Sequence, residues 1–192
     1  MKKDNLKLYF IAIVPNEPHF SELKAFKTEF KDRFNSKAAL RSPPHITLHM
    51  PFKWNEEKED RLIKTLNMLA EEHSPFDLIL NDFGAFPPRV IFVKVGENDQ
   101  LHKLQKAVQK VAKTSWHIYP KEPQRPFRPH MTVAFRDLKK PAFHEAWSQF
   151  KDRKYSAQFE VFDICLLKHN GKSWDVLERV QLNTGRRISY DQ

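Results

Sequence analysis

Two short segments of the chain carry the same arrangement of residues that can exchange protons and bind phosphate. Pro-His-Ile-Thr-Leu occupies 44–48, and Pro-His-Met-Thr-Val occupies 129–133. Composition predicts about 0.02 chance matches to Pro-His-x-Thr in a chain of this length, so two matches indicate selection or duplication. A histidine titrates near neutral pH, and a threonine hydroxyl can donate a hydrogen bond to a phosphate oxygen. The doubled pattern therefore indicates acid–base chemistry at a phosphate.

In-line displacement at phosphorus needs one group that accepts a proton from the nucleophile and another that gives a proton to the leaving oxygen. We predict that His45 and His130 are this catalytic pair and work without a metal ion. The sequence leaves open which of them is the base. Thr47 and Thr132 are predicted to donate hydrogen bonds to nonbridging oxygens, where the transition state gathers negative charge.

A metal site is the alternative interpretation of the same region. On a regular strand, His49 shares a face with His45, so His45, His49 and His130 could together hold a metal ion. The equivalent of His49 in the second segment is Ala134, and no carboxylate completes a familiar ligand spacing. We therefore expect neither a metal nor a cofactor.

The apolar spacing around these segments predicts one series of elements that occurs twice. Residues 6–86 read as strand, helix, motif strand, helix and strand, and residues 89–182 repeat that order and end in two strands, the first over 158–167. The offset between the two histidines nearly equals the offset between the strands marked by Phe76 and Phe159. This agreement predicts an internal duplication within a single domain spanning 1–192.

The predicted fold class is α+β, with two pseudo-symmetric lobes, each an antiparallel β-sheet with outer helices, and an active-site cleft between them. Side chains alternate along a strand, so His45 and Thr47 should face the cleft while Ile46 and Leu48 face the core. The second motif repeats this division.

A proline-rich loop carrying positive charge leads into each motif. The first loop supplies Arg41, and the second supplies Arg125, Phe127 and Arg128. We predict that these residues bind substrate, the arginines through phosphate groups and Phe127 by facing the ligand.

The composition limits the class of partner and the location. There are 33 basic against 24 acidic residues, and the pI is near 9.6, so RNA or a nucleotide is the expected partner. The lone Cys165 lies in an apolar run and fits a reducing compartment. The apolar stretch 6–14 contains Lys7 and lacks a signal-peptidase site. With no apolar run of membrane-spanning length, we expect a soluble, cytoplasmic monomer that does not bind membranes.

At the motif residues the sequence resembles the two-histidine (2H) phosphoesterase superfamily, in particular its bacterial 2'-5' RNA ligase and cyclic phosphodiesterase branch. Leu-Tyr-Phe-Ile-Ala-Ile-Val-Pro at 8–15 is similar to the opening strand of that family, and Gly-Ala-Phe-Pro-Pro-Arg-Val-Ile-Phe at 84–92 to its inter-lobe turn. The resemblance covers most of the chain. It implies a bilobal fold and a metal-independent site for 2',3'-cyclic phosphates or 2'-5' linkages, with reversible 2'-5' ligation. It also implies that Phe10 contacts a base.

The chain departs from some relatives at one basic position. Where these have a basic residue four positions after the second motif histidine, this chain has Ala134. Arg136 has the same parity as His130 and would reach the site if the strand continues, and Arg128 is the other candidate. An RNA-binding module of the same fold, with little or no catalysis, remains the alternative function.

Overall fold

The computed structural model describes residues 5–119 and 126–185, and all elements below lie in that part of the chain. The strands are β1 (Leu6–Ile13), β2 (Ile46–Asn55), β3 (Phe76–Phe86), β4 (Val90–Val95), β5 (His130–Ala134), β6 (Ser156–Val161), β7 (Asp163–His169) and β8 (Trp174–Gln181). The α-helices are α1 (His19–Phe34), α2 (Glu59–Ala70), α3 (Asp99–Thr114) and α4 (Lys140–Phe150). Short 3₁₀ helices span Ala38–Arg41 and Glu56–Lys58.

All the described strands belong to one antiparallel sheet, in the order β6-β3-β4-β5-β2-β1-β7-β8. Its two four-stranded halves meet where β5 lies beside β2, and the pairing there is the single pair Ile46 with Met131. The predicted α+β class with two facing halves and outer helices is confirmed. The halves form one continuous sheet because this pair joins them.

The sheet is strongly curled, as one short connection shows. Val161 ends β6 and Asp163 begins β7, so with one residue between them these Cα atoms lie within about 7.6 Å. In a flat sheet, the six strand spacings between β6 and β7 would separate them by about 29 Å. The curl therefore brings the outer parts of the two halves together.

The predicted single strand over 158–167 is wrong, because the chain changes partners at Phe162. Residues of β6 pair with β3, whereas β7 pairs with β1 and β8. Burial alternates along β6 and becomes continuous at the start of β7. An edge strand and an interior strand thus follow each other directly, and their joined apolar pattern looks like one strand.

The helices cover one face of the sheet, which we call the helix face. Helices α1 and α4 contact β5 and β4, while α2 and α3 contact β8, β7 and β2. One large cluster fills the space between helices and sheet and includes Tyr9, Ile11 and Ile13 of β1. The intervening residues Phe10 and Ala12 belong to a separate small cluster, because alternation turns them to the opposite face. No helix in the described ranges is long and apolar enough to cross a membrane.

Candidate active site

The junction of the two half-sheets brings the paired motifs together. The pair Ile46 with Met131 is antiparallel, so continuing its register sets His45 opposite Thr132 and Thr47 opposite His130. The two histidines are then diagonal neighbours, which lie about 7–8 Å apart in a regular ladder, with their Cβ atoms somewhat closer. The two rings are close enough for the charge of His130 to affect His45.

Burial along both motif strands places these polar side chains on one face. Ile46 and Met131 are fully buried on the helix face, whereas His45, Thr47, His130 and Thr132 are each half-buried. We call the sheet face that carries these four polar residues the cleft face. These positions therefore alternate as predicted, with the polar side chains on the cleft face and the apolar side chains toward the helices.

Each histidine is held by a backbone carbonyl two residues before it. Nδ1 of His45 lies 2.8 Å from the oxygen of Pro43, and Nδ1 of His130 lies 2.7 Å from the oxygen of Arg128. A carbonyl oxygen can only accept, so in both rings Nδ1 carries the proton. Nε2 is then left with a lone pair, which can accept a proton from a nucleophile.

A phenylalanine from the neighbouring strand supports each histidine ring. The ring centroids of Phe10 and His45 are 4.9 Å apart, and those of Phe92 and His130 are 5.1 Å apart. Trp174 meets Phe10 edge-on at 4.7 Å, and Phe86 lies 4.5 Å from Phe92. These aromatic pairs restrict how far either histidine can rotate.

Phe10 is more deeply buried than we expect of a side chain that contacts a base. It is 3% exposed and lies between His45 and Trp174. In this arrangement its contact with the histidine is direct, while its contact with a base stays a prediction.

Desolvation is the largest influence on both histidines and favours their neutral forms. It lowers the pKa of His45 to about 4, together with the positive charge of Lys27 and a smaller effect of His130, while the bond to Pro43 acts in the opposite direction. Desolvation also lowers the pKa of His130, against its bond to Arg128. In the free protein, burial thus favours the uncharged form of both rings.

Lys94 lies on the cleft face and was missed in the sequence. It pairs with His130 across β4 and β5, two residues from the supporting Phe92. Paired residues of an antiparallel ladder point to the same face, and the Lys94 side chain is exposed. The side chains of residues 90–95 alternate between the two faces of the strand, and Lys94 occupies one of the positions that face away from the core. This pattern could have identified Lys94 as a candidate site residue.

The positively charged residue predicted before the first motif borders a surface hollow. Arg41 is exposed and lines a hollow of about 460 Å³ with Lys37 and Lys172. The hollow also includes Ser173, next to Trp174. Trp174, which follows Ser173 in the chain, packs against Phe10, and Phe10 packs against His45.

The residues predicted before the second motif are less closely associated with the cleft. Arg125 lies outside the described residues. Arg128 is exposed and supplies the carbonyl that holds His130. The ring of Phe127 packs against the main core and lies 5.3 Å from His102 of α3. Because α3 covers the helix face, this packing argues against the predicted ligand contact of Phe127.

Arg136 was expected to reach the site only if the second motif strand continued to it, and the strand does not. Strand β5 ends at Ala134, and Arg136 has a left-handed backbone with φ of 58°. Its guanidinium lies 5.2 Å from the ring centroid of Phe135. Binding of substrate by Arg136 therefore loses the geometric support that the sequence suggested.

A β-bulge in β2 turns His49 away from the face that carries His45. Ala12 pairs with Thr47 but Ile11 pairs with His49, so Leu48 is an extra residue in β2 and the alternation reverses after it. His49 consequently faces the helix side, where its ring lies 5.3 Å from that of Phe52. Within the described ranges, no group of three or more His, Cys, Asp or Glu side chains is arranged to hold a metal ion.

Comparison with known proteins agrees with this geometry. The family model of the 2'-5' RNA ligase superfamily matches residues 15–173, a range that includes both motifs. The chain belongs to the 2'-5' RNA ligase superfamily. The "Putative phosphoesterase" of Geobacillus kaustophilus is 30% identical over 174 residues, covering 88% of this chain and 93% of that protein. A Geobacillus thermodenitrificans protein of the same description is 29% identical over the same shares. Phosphoesterase activity is what this superfamily membership supports.

Solved structures share the fold of this superfamily member at low sequence identity. TT0787 of Thermus thermophilus has a TM-score of 0.69 at 22% identity and covers 93% of this chain and 100% of its own. LigT of E. coli, complexed with NADP+, has a TM-score of 0.59 at 21% identity and covers 93% of this chain and 99% of its own. The same LigT protein has also been solved with 3'-AMP.

Proposed function

We propose that the protein is a metal-independent phosphoesterase that acts on 2',3'-cyclic phosphates or 2'-5' phosphodiester bonds of RNA or nucleotides. One observation carries this proposal. His45 and His130 lie on one face at the junction, each with Nδ1 bound to a carbonyl and Nε2 available for proton transfer.

The reaction balances with these groups and water alone. For a cyclic phosphate, a water oxygen forms a bond to phosphorus as the bond from phosphorus to a ribose oxygen breaks. Nε2 of one histidine takes the proton of the water, and Nε2 of the other, protonated beforehand, gives its proton to the ribose oxygen. The product is a phosphomonoester. When the 5'-hydroxyl of a second ribose replaces water in the same step, the bond from phosphorus to the 3'-oxygen breaks and a 2'-5' bond results. Exchange of the two histidine roles then runs this ligation in reverse and cleaves the 2'-5' bond.

Two further groups are suited to the charge that develops on the phosphate. Thr47 and Thr132 lie on the same face as the histidines, so their hydroxyls can donate to nonbridging oxygens. Lys94 adds a positive charge beside His130. A phosphate anion between the rings also raises the pKa of both histidines, which supplies the proton that one of them must hold.

Support for a nucleotide substrate comes from charge and from the relatives. The chain has a formal net charge of +9, which favours polyanionic ligands. The fold resembles that of E. coli LigT, which has been solved with 3'-AMP and with NADP+.

Hydrolysis of a 2',3'-cyclic nucleotide and of a 2'-5' dinucleotide in the presence of EDTA tests the proposal. We expect turnover by the unaltered protein and a fall of about 10²–10⁴-fold in kcat for His45→Ala and for His130→Ala. His144→Ala is the control, since His144 lies on α4, on the helix face.

The other outcomes select other functions. Undiminished turnover in both histidine variants would refute the assignment. Salt-sensitive RNA binding without turnover of any substrate would indicate a binding module, and activity that EDTA removes and a metal ion restores would indicate a metal hydrolase.

A further inference from the structure

A lysine is completely enclosed behind the first motif. Lys27 of α1 is 1% exposed and belongs to the buried side of the helix with Leu23, Phe30 and Phe34. Lysines are almost never fully buried unless they are paired with an acidic group. In the described residues, Lys27 forms no ion pair with any carboxylate.

Three backbone carbonyls take the place of an acidic partner. Nζ of Lys27 lies 3.1 Å from the oxygen of Ala39, 3.0 Å from that of Ser42 and 3.0 Å from that of Pro43. An ammonium group has three N–H donors, so each of them meets one acceptor, whereas a neutral amine has only two. Burial lowers the pKa of Lys27 to about 7. Lys27 is therefore charged on the acidic side of neutrality, which is where His45 titrates.

One of these carbonyls is shared with the catalytic histidine. The oxygen of Pro43 accepts from Nζ of Lys27 and from Nδ1 of His45. Because both donors converge on one atom, Lys27 fixes the position of the carbonyl that fixes His45. The positive charge of Lys27 also lowers the pKa of His45. Because both groups lie where most water is excluded, this effect is only weakly screened.

Among the described residues, the second motif has no buried lysine behind it. The buried residues of α3 are Leu101, Leu104, Val108 and Ala112, all of them apolar. The carbonyl of Arg128, which holds His130, has no ammonium bound to it within the described ranges. The two halves of the site are therefore alike in the histidine and its carbonyl but differ in the charge behind them.

Other charges near this region are few. His45 is affected by two charged groups, Lys27 and His130. The nearby carboxylate of Asp137, which follows β5, accepts from Oγ of Ser36 and from the backbone nitrogens of Lys37 and Ala38. It holds the loop that Lys27 also binds.

We propose that Lys27 is a positioning residue for His45, which it holds through the Pro43 carbonyl and keeps in the uncharged form, so that His45 is the proton acceptor in hydrolysis. His130, whose Arg128 carbonyl binds no ammonium group in the described residues and whose strand partner Lys94 is exposed to solvent, is then the proton donor. The assignment of base and acid rests on the proposed function, but the effect of Lys27 on His45 does not.

NMR titration of the histidine rings in the free protein tests that effect without any substrate. In the unaltered protein we expect His45 to titrate at lower pH than His130. Lys27→Met removes the charge and the hydrogen bonds, so the pKa of His45 should rise by about one unit or more while that of His130 stays nearly constant. Lys24→Met, an exposed position on the same helix, should change neither. A His45 that titrates at or above His130 in the unaltered protein overturns the proposal, even if Lys27→Met fails to fold.

Kinetics separate positioning from a purely structural role. The acidic limb of kcat/KM reports the base of the free enzyme, so in Lys27→Met it should move to higher pH in step with the titration of His45. Lys27→Gln keeps two donors for the carbonyls and loses the charge, and it should show the same shift with a smaller loss of kcat. A uniform loss of rate at every pH, without a shift of the limb, contradicts the proposal. Absence of turnover together with the expected titrations would count against the proposed function alone.

Discussion

Lys94 is exposed on the cleft face, opposite His130 in the pairing of β4 with β5. Its position makes it a candidate for the cation that some relatives supply from the position that Ala134 occupies here. Ala134 is fully buried in the main core, so a basic residue could not replace it without disturbing that packing.

Lys94→Met should weaken binding of the reacting phosphate. We expect kcat/KM to fall by about tenfold, because one charge-assisted contact to the phosphate is lost. Lys106→Met is the matched control, since Lys106 is exposed on α3 and its loss changes the net charge equally. Steady-state kinetics on a cyclic nucleotide measure both. Equal effects of the two substitutions would show that only the overall charge matters.

At the residue scale, alternation predicted the paired motifs because their strands are regular at those positions. Ile46 and Met131 are buried, and the polar residues beside them face the cleft. The same reasoning failed at His49 and Arg136, where a bulge and the end of a strand interrupt the period of two. Lys27 could not be predicted, because nothing local in the sequence shows that three distant carbonyls surround it.

Among the elements, the β3–β4 hairpin supports His130 through a close contact. A Cβ added at Gly84 would lie 2.5 Å and 2.7 Å from two ring atoms of Phe92. That distance is far below an ordinary carbon contact. Gly84 therefore lets the Phe92 ring lie flat over the strand, where it also contacts His130.

Gly84→Ala should displace the Phe92 ring and, through it, His130. We expect a fall of about tenfold or more in kcat with the fold retained, because small displacements of a catalytic group are costly. Gly96→Ala serves as the control, since its nearest atom would lie at 3.4 Å, an ordinary contact. Circular dichroism of both variants tests whether the fold is retained, and turnover measures the loss of kcat. Equal turnover in the two variants would refute this role for Gly84.

The elements themselves were largely predictable, but their partners were not. Helical spacing of apolar residues and the two motif strands indicated the order of elements correctly, because burial of one face produces that spacing. The break at Phe162 was hidden because β6 and β7 are joined without a turn. Only the pairing with β3 on one side and β1 on the other shows that they are separate strands.

At the scale of the whole molecule, positive charge extends beyond the reacting phosphate. Arg41, Lys37 and Lys172 border one hollow, and its Ser173 precedes the Trp174 that packs against Phe10 beside His45. A mononucleotide held between the histidines would leave this hollow free. A longer RNA strand could place another phosphate there.

Arg41→Met should therefore affect oligonucleotides more than mononucleotides. We expect KM for a cyclic-phosphate-ended oligonucleotide to rise several-fold and its dependence on salt to become less steep by about one phosphate contact. The KM for a cyclic mononucleotide should stay unchanged. Lys103→Met, which removes one charge from the exposed side of α3, is the control. If KM for the two substrates changed in parallel, the hollow would have no part in binding a longer strand.

The sequence predicted the class of the whole fold but matched the wrong strands between the repeats. The offset from Phe76 to Phe159 relates β3 to β6, which lie side by side in the same half. About the junction of β2 and β5, the strand that mirrors β3 is β7. The error arises because a repeated sequence pattern carries no information about which half-sheet a strand joins.

Each half-sheet contains at least one strand from the other half of the sequence, and this bears on how such a molecule could have arisen. One half-sheet contains β1 and β2 with β7 and β8, and the other contains β4, β5 and β6 with β3. A polypeptide of half this length would complete neither sheet by itself, because β3 lies in the half-sheet of β4 and β5 and β7 lies in that of β1 and β2. Two copies could complete both half-sheets by exchanging such strands. Under a duplication, the ancestral form would have been an interlocked dimer. Fusion of its two genes would then have allowed the helices of the two copies to differ, and α1 is the one that has a buried lysine in the described residues.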